Sequence, residues 1–337
     1  MSLDAQWALL QYHALHGNYT TGADSTFFNA SEHSIARTFL NNKTYADLGS
    51  NTKPQVVVLS RNAQGFPVVV ETNTNVSFVS KNQTMALGSF RLAAITKVLS
   101  IPGKLSEIIG DLGLKALAMA AKASNKTAIW DAAAGVTVFA PTDAAFTTAT
   151  NSLKALNATQ VTNVLGGHVL NGTVLYSSDL AKTAAMAKAD PSKMNADGNI
   201  ILANLTASAG QNITLAWLKS GSFAVISGNF TAKITRTDSL FKGGVVHTID
   251  TVLVNTDVDP MAAANAYKKY SEASNSTAST DSTSNADGDS GGILNGTTPT
   301  DGTSPVNASL AGAAVDFGLV SLLVGALSLA GGMALLI

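Results

Sequence analysis

A repeat about 155 residues long constrains this chain more than any other feature. Leu9-Leu10-Gln11-Tyr12-His13-Ala14-Leu15-His16-Gly17 returns as Val164-Leu165-Gly166-Gly167-His168-Val169-Leu170-Asn171-Gly172, with the histidines of the two runs, His13 and His168, 155 positions apart. Ile95-Thr96-Lys97-Val98-Leu99 returns as Ile249-Asp250-Thr251-Val252-Leu253, with the leucines 154 positions apart. A period this long describes a whole domain; solenoid units repeat every 20–50 residues or so. The sequence predicts a complete copy over 103–258 and a partial one over 1–102. Met1 aligns with Leu156, so the first copy is expected to be N-terminally truncated, with the counterpart of 103–155 lying upstream. A secretion signal is expected there too. Met1-Ser2-Leu3-Asp4 has no basic region, and the run from Trp7 to Leu10 is shorter than the ~7–15 apolar residues a signal peptide needs.

The second copy can be read along its length. Leu105, Ile108, Ile109, Leu112, Leu114, Leu117 and Met119 predict a helical region that gives way near Ser124-Asn125. Val136 to Ala140 predicts a short strand ended by Pro141, after which Thr142 stands at an N-cap, with Asp143 in the first turn and Phe146 facing inward. Val161, Val164, Leu165 and His168 recur at helical spacing. Five β-rich runs follow, at 199–205, 212–218, 223–227, 231–236 and 245–253. Helices first and strands afterwards make an α+β class. Val245, His247 and Ile249 share a strand face, so His247 is predicted to be a hydrogen-bonded core histidine, and so is His168. Tyr12 and His13 adjoin at a helix end, where one can pack inward while the other reaches the surface.

Composition removes several functions. With 21 basic and 22 acidic residues the chain offers no electrostatic footprint for nucleic acid. Zero cysteines exclude disulfides, thiolate nucleophiles and zinc ribbons. His13 and His16 have no carboxylate at ligand spacing, so no metal is expected. No phosphate loop or metalloprotease box occurs. Gly288-Asp289-Ser290-Gly291-Gly292 reads like the nucleophile segment of a serine protease, but it lies in a Ser/Thr/Asn/Gly-rich tract that cannot hold a serine rigidly against a base. No cofactor is expected, and the chain is expected not to be an enzyme.

The C-terminal part reads as a surface tether. Residues 259–310 are expected to form a stalk, disordered from about 271 onward, because that tract cannot bury enough apolar surface to offset its ordering entropy. Within 311–337, the uncharged run from Phe317 to Ile337 is long enough, at ~1.5 Å per residue, to cross a hydrocarbon core. Small residues, a polar spacer and a terminal apolar tail form the pattern of a glycosylphosphatidylinositol (GPI) attachment signal, with Asn307 and Gly302 as alternative attachment residues. A retained tail-anchor helix is the other reading. Glycosylation sequons stand at Asn18, Asn29, Asn42, Asn75, Asn82, Asn125, Asn157, Asn171, Asn204, Asn212, Asn229, Asn275 and Asn295, and Asn307 heads another. Together they favour a heavily glycosylated protein of the secretory pathway.

Thr137-Val-Phe139-Ala-Pro141-Thr142-Asp143-Ala-Ala-Phe146 resembles the first box of the fasciclin-type domain, and Gly244-Val-Val-His247-Thr-Ile249-Asp250-Thr-Val-Leu253 resembles the second. The histidine-bearing helix end is similar to that family's Tyr-His motif. The resemblance implies a β-wedge or sandwich with flanking helices, used in extracellular adhesion and in matrix or cell-wall attachment. It makes Tyr12, His13 and His168 candidate adhesion residues. The first copy has Ala93 and Thr96 where the second has His247 and Asp250, and the second has Gly167 where the motif has tyrosine. The expected function is non-catalytic attachment at the cell surface through the anchor, with an extracellular protein or a cell-wall polysaccharide as partner. A carbohydrate- or lipid-binding module assisting wall remodelling is the alternative, and a hydrolase comes third.

Overall fold

The computed structural model describes residues 1–17, 19, 33–49, 53–80, 85–87 and 90–276. All of them lie in the unit Met1–Gly292. The anchor segment 311–337, both attachment candidates, the stalk beyond 276 and the sequons at Asn18, Asn29, Asn82 and Asn295 lie outside the described residues.

The first half opens with helix α1 (Leu3–His13), which starts where the Ser2 hydroxyl accepts from the Ala5 amide and Asp4 occupies the first turn. Ala8 and Tyr12, one turn apart, are its buried residues. Strands β1 (Ser34–Arg37), β2 (Val56–Arg61), β3 (Pro67–Val70) and β4 (Val76–Ser77) then form an antiparallel sheet in chain order, and β5 (Met85–Leu87) pairs with β6 (Phe90–Leu92). The unbroken apolar start of β2 has a clear cause, since the strand is buried on both faces. Val57 and Leu59 enter a core with Tyr12, Leu40, Val69 and Phe78. Val56 and Val58, on the opposite face, pack on Tyr176, Leu240 and Val245 of the second half.

The second half begins with α2 (Leu105–Asp111), α3 (Lys115–Ala123) and α4 (Thr127–Asp131), followed by β7 (Val136–Pro141), α5 (Asp143–Thr148), α6 (Thr150–Lys154), α7 (Ala158–Gly166), β8 (Val169–Leu170) and α8 (Ser177–Ala187). The single helical region expected over 105–124 is broken at Gly113, whose φ of +70° ends α2 and redirects the chain into α3. Strands β9 (Ile200–Thr206), β10 (Asn212–Trp217), β11 (Phe223–Ser227), β12 (Phe230–Phe241) and β13 (Gly244–Ile249) complete a sheet of order β8-β7-β13-β12-β11-β10-β9. Strand β7 pairs with β13 in parallel. Both are buried along their whole length, as central parallel strands covered on two faces must be. A side chain at Gly244 would place its Cβ 1.9 Å from the Val136 carbonyl oxygen, so the approach of these strands requires glycine there. Leu105, Ile109, Leu117, Trp130, Val138 and Val246 belong to the core between helices and sheet.

Strand β12 is longer than the expected run 231–236. Its register against β13 shifts on both sides of Arg236, and Asp238 takes a φ of +57°. This bulge carries the strand through the polar Thr237-Asp238-Ser239 and turns those side chains out of simple alternation. The tract expected to be stalk from 259 begins instead as a helix, α9 (Pro260–Ser276). Proline at its first position, the Asp259 carboxylate accepting from the Ala262 amide, and an alanine run after Met261 give this segment a helix start that its Ser/Thr-rich continuation lacks.

Candidate functional site

The two motifs that mark the repeat prove to be one joint, built twice. His13 donates from Nδ1 to the Leu9 carbonyl at 2.7 Å and accepts at Nε2 from the Leu99 amide at 2.9 Å. His168 donates from Nδ1 to the Val164 carbonyl at 2.7 Å and accepts at Nε2 from the Leu253 amide at 3.0 Å. In each half the histidine closes the end of a helix and pins a distant backbone amide to it. Strand order repeats as well, since β1-β2-β3-β4 runs as β9-β10-β11-β12 does. The bridge Phe78–Ile95 likewise stands where Ile234–Ile249 joins β12 to β13. Burial pushes the His168 pKa down to about 4, so His168 makes its two bonds as a neutral imidazole.

The motif side chains are tied into the fold. Tyr12 is 3% exposed and its hydroxyl donates to the Val56 carbonyl, and His168 is 2% exposed with both nitrogens bonded. His13 is half-buried, and its two nitrogens are used in the same way. These side chains organise backbone and offer no free donor to a partner. His16 stacks on Phe39, and among the described residues no group of three or more His, Asp or Glu is placed to hold a metal ion.

His247 is fully buried. It accepts at Nδ1 from the Asp238 amide and meets the Leu175 carbonyl through Nε2 at 2.8 Å, with Phe139 stacked beside it. Burial lowers its pKa against the opposing pull of Asp238. The Asp238 carboxylate, on the bulge of β12, sits at the centre of a cluster that joins the two halves. Its Oδ2 accepts from His33 Nδ1 at 2.6 Å and from the Ser177 hydroxyl, and its Oδ1 accepts from the Ser177 amide at 2.8 Å. Burial alone would raise its pKa, but the His33 bond, the neighbouring imidazoles and the Ser177 bond outweigh burial and hold the carboxyl below its ordinary range. Ser, His and Asp meet here without forming a hydrolytic triad. Both Ser177 and His33 end on the carboxylate, so no imidazole faces the serine proton. The sequence reading missed His33, Ser177 and Asp238. The one signal was that the polar triplet 237–239 directly precedes the apolar Leu240-Phe241 at the buried end of the strand.

Residues 113–255 match the family described as Fasciclin domain. A solved structure of a FAS1 domain pair from the insect cell adhesion molecule fasciclin I is matched over 66% of this chain and 71% of its own length, at 13% sequence identity and a TM-score of 0.37, a likeness too distant to carry an argument. The search of curated proteins yields no match.

Within the fasciclin match each box residue has a structural task. The Thr137 hydroxyl donates to the Thr173 carbonyl and accepts from the Leu175 amide, fixing the strand to the loop before α8. Pro141 ends β7, and Thr142 caps α5 by accepting from the Ala145 amide at 3.1 Å. The Asp143 carboxylate accepts from the Ala116 amide in the first turn of α3, where the helix dipole favours a negative charge. Phe146 packs against the main core, Ile249 is fully buried, and Asp250 accepts from the Lys233 amide. The described sequon asparagines tell a different story: Asn42, Asn75, Asn125, Asn157, Asn171, Asn204, Asn212 and Asn229 are all exposed. Where Asn42, Asn157 and Asn204 are hydrogen-bonded, the amide oxygen accepts, and Nδ2, the atom that carries a glycan, stays available. Asn275 falls in the last turn of α9. No helix among the described residues is long and apolar enough to cross a membrane.

Proposed function

We propose that this protein is a non-catalytic, extracellular adhesion or attachment protein, tethered to the cell surface by a GPI anchor at Asn307 or Gly302. The observation that carries the reading is the fasciclin-domain match over 113–255, a family that serves in extracellular adhesion. The exposed sequon asparagines support passage through the secretory pathway. The paired histidine joints and the shared strand order support two tandem copies, over 1–102 and 103–258. The partner is an extracellular protein or a wall polysaccharide, met on a broad face. Phosphatidylinositol-specific phospholipase applied to intact cells is the test. Release of the protein, without peptides beyond the attachment residue, is expected. Recovery of peptides from 319–337 in the membrane-bound form contradicts the lipid anchor.

A further inference from the structure

The second half holds a polar cleft next to a position at which the two copies differ. At the position of the buried Tyr12 ring the second copy has Gly167, and Gln211, the counterpart of Val56, turns its carboxamide toward that glycine. A Cβ on Gly167 would lie 3.3 Å from Gln211 Cδ. Gln211 is 3% exposed. Its Nε2 donates to the Asn163 and Asn255 carbonyls at 3.1 and 3.4 Å, which fixes the amide's orientation, while Oε1 finds no donor among the described residues. A buried acceptor left without a donor costs roughly 1–3 kcal/mol, so it marks a place where a donor is owed. Gln211 lines a cleft of about 390 Å³ together with Asn212, Thr214, Asn255, Asp257 and Asp259, and among the described residues no lysine or arginine lines it. The Asp257 carboxylate is exposed and has no partner among the described residues, and Asp259 spends one oxygen on the α9 cap. The lining therefore carries two carboxylates and no basic side chain, and the Thr214 hydroxyl and Asn255 amide donors are already spent on Asn204 and Ser227. Its size suits one or two sugar rings.

Asn212 is both a wall of this cleft and the exposed head of the sequon Asn212-Ile213-Thr214. We propose that the cleft is the seat of the protein's own N-linked glycan on Asn212, with the first sugars packed against Gln211 and Asp257. Glycosylation joins Asn212 Nδ2 to C1 of the sugar as the C1–O bond to a lipid-diphosphate donor breaks, and the amide proton is lost. The first sugar, being N-acetylated, brings an amide N–H and hydroxyl donors to the two carboxylates and the Gln211 Oε1 of this lining. The inference rests on the secretory reading above. Asn204 supplies an internal comparison, since it is exposed on the neighbouring strand and does not line the cleft.

The experiment is site-resolved mass spectrometry of the full protein secreted from a glycosylating host, with peptide N-glycosidase applied to native and to denatured samples. Asn212 is expected to be occupied, to resist release in the native protein at least tenfold longer than Asn204 and Asn171, and to be released freely after denaturation. Asp257→Ala, an exposed substitution that leaves the core untouched, is expected to bring the native release of the Asn212 glycan close to the Asn204 rate. An unoccupied Asn212 beside occupied Asn204 and Asn171 overturns the inference, as does native release at the same rate from all three. Absence of glycan from every sequon overturns the secretory reading instead.

Discussion

Acidification from pH 7 to pH 5 should weaken this fold by about 2 kcal/mol through His168. In the unfolded chain its imidazole titrates near the ordinary 6.5, while burial in the folded protein pushes it down to about 4. The unfolded state therefore binds more protons throughout that window, so stability is full above pH 6.5 and falls as the pH drops through it, levelling off below the native value. At about 1.4 kcal/mol per pKa unit the whole window amounts to about 3 kcal/mol, of which about 2 kcal/mol is gone by pH 5. His247, also lowered by burial, adds to the loss in the same direction. Asp238, held below the ordinary carboxyl range, adds its share at lower pH still, as its carboxylate is protonated and the bonds from His33 and Ser177 weaken. The assay is urea unfolding at pH 7, 6 and 5, with the slope against denaturant checked for constancy, alongside the imidazole carbon shifts of the folded protein by NMR. Unfolding free energies that do not change between pH 7 and pH 5 would refute the reasoning. So would a folded His168 that titrates near 6.5.

Other substitutions separate local from long-range roles. Thr142→Ala removes the α5 cap and should cost about 0.5–2 kcal/mol, read as a shift of the urea midpoint. His247→Ala strands the Asp238 amide and the Leu175 carbonyl and should cost more than the cap does; a smaller loss would show that these bonds are dispensable. Asp238→Ala leaves the buried Ser177 amide and hydroxyl without their acceptor and takes the carboxylate from His33, at a cost of about 1–3 kcal/mol for the stranded amide alone. Because the cluster joins the halves, limited proteolysis of this variant should expose the region near residue 102 before the rest.

Much of the architecture could be read in the chain. The β-branched runs at 199–205, 212–218 and 223–227 became β9, β10 and β11 within a residue or so, because half-buried antiparallel strands write their alternation into the sequence. Thr142 announced its helix because capping is a local matter of one hydroxyl and one amide. The bulge at Asp238 was hidden, since a polar triplet inside a strand resembles a loop until β13 and α8 are seen on either side of it. The pairing of His168 with the Leu253 amide, 85 positions away, shows the same limit. The repeat singled out both motifs, but only the fold reveals that one holds the other. Which way Tyr12 faces was hidden for a related reason: an aromatic side chain on a helix end reads alike whether it meets solvent or a neighbouring strand.

The most direct test of the attachment account is a shear-detachment measurement. Cells carrying the protein are seated on matrix- or wall-polysaccharide-coated surfaces, before and after phospholipase release. The account predicts that the shear stress needed to detach half of the cells falls on release to that of cells lacking the protein. An unchanged detachment stress, with the protein shown to have left the surface, contradicts it.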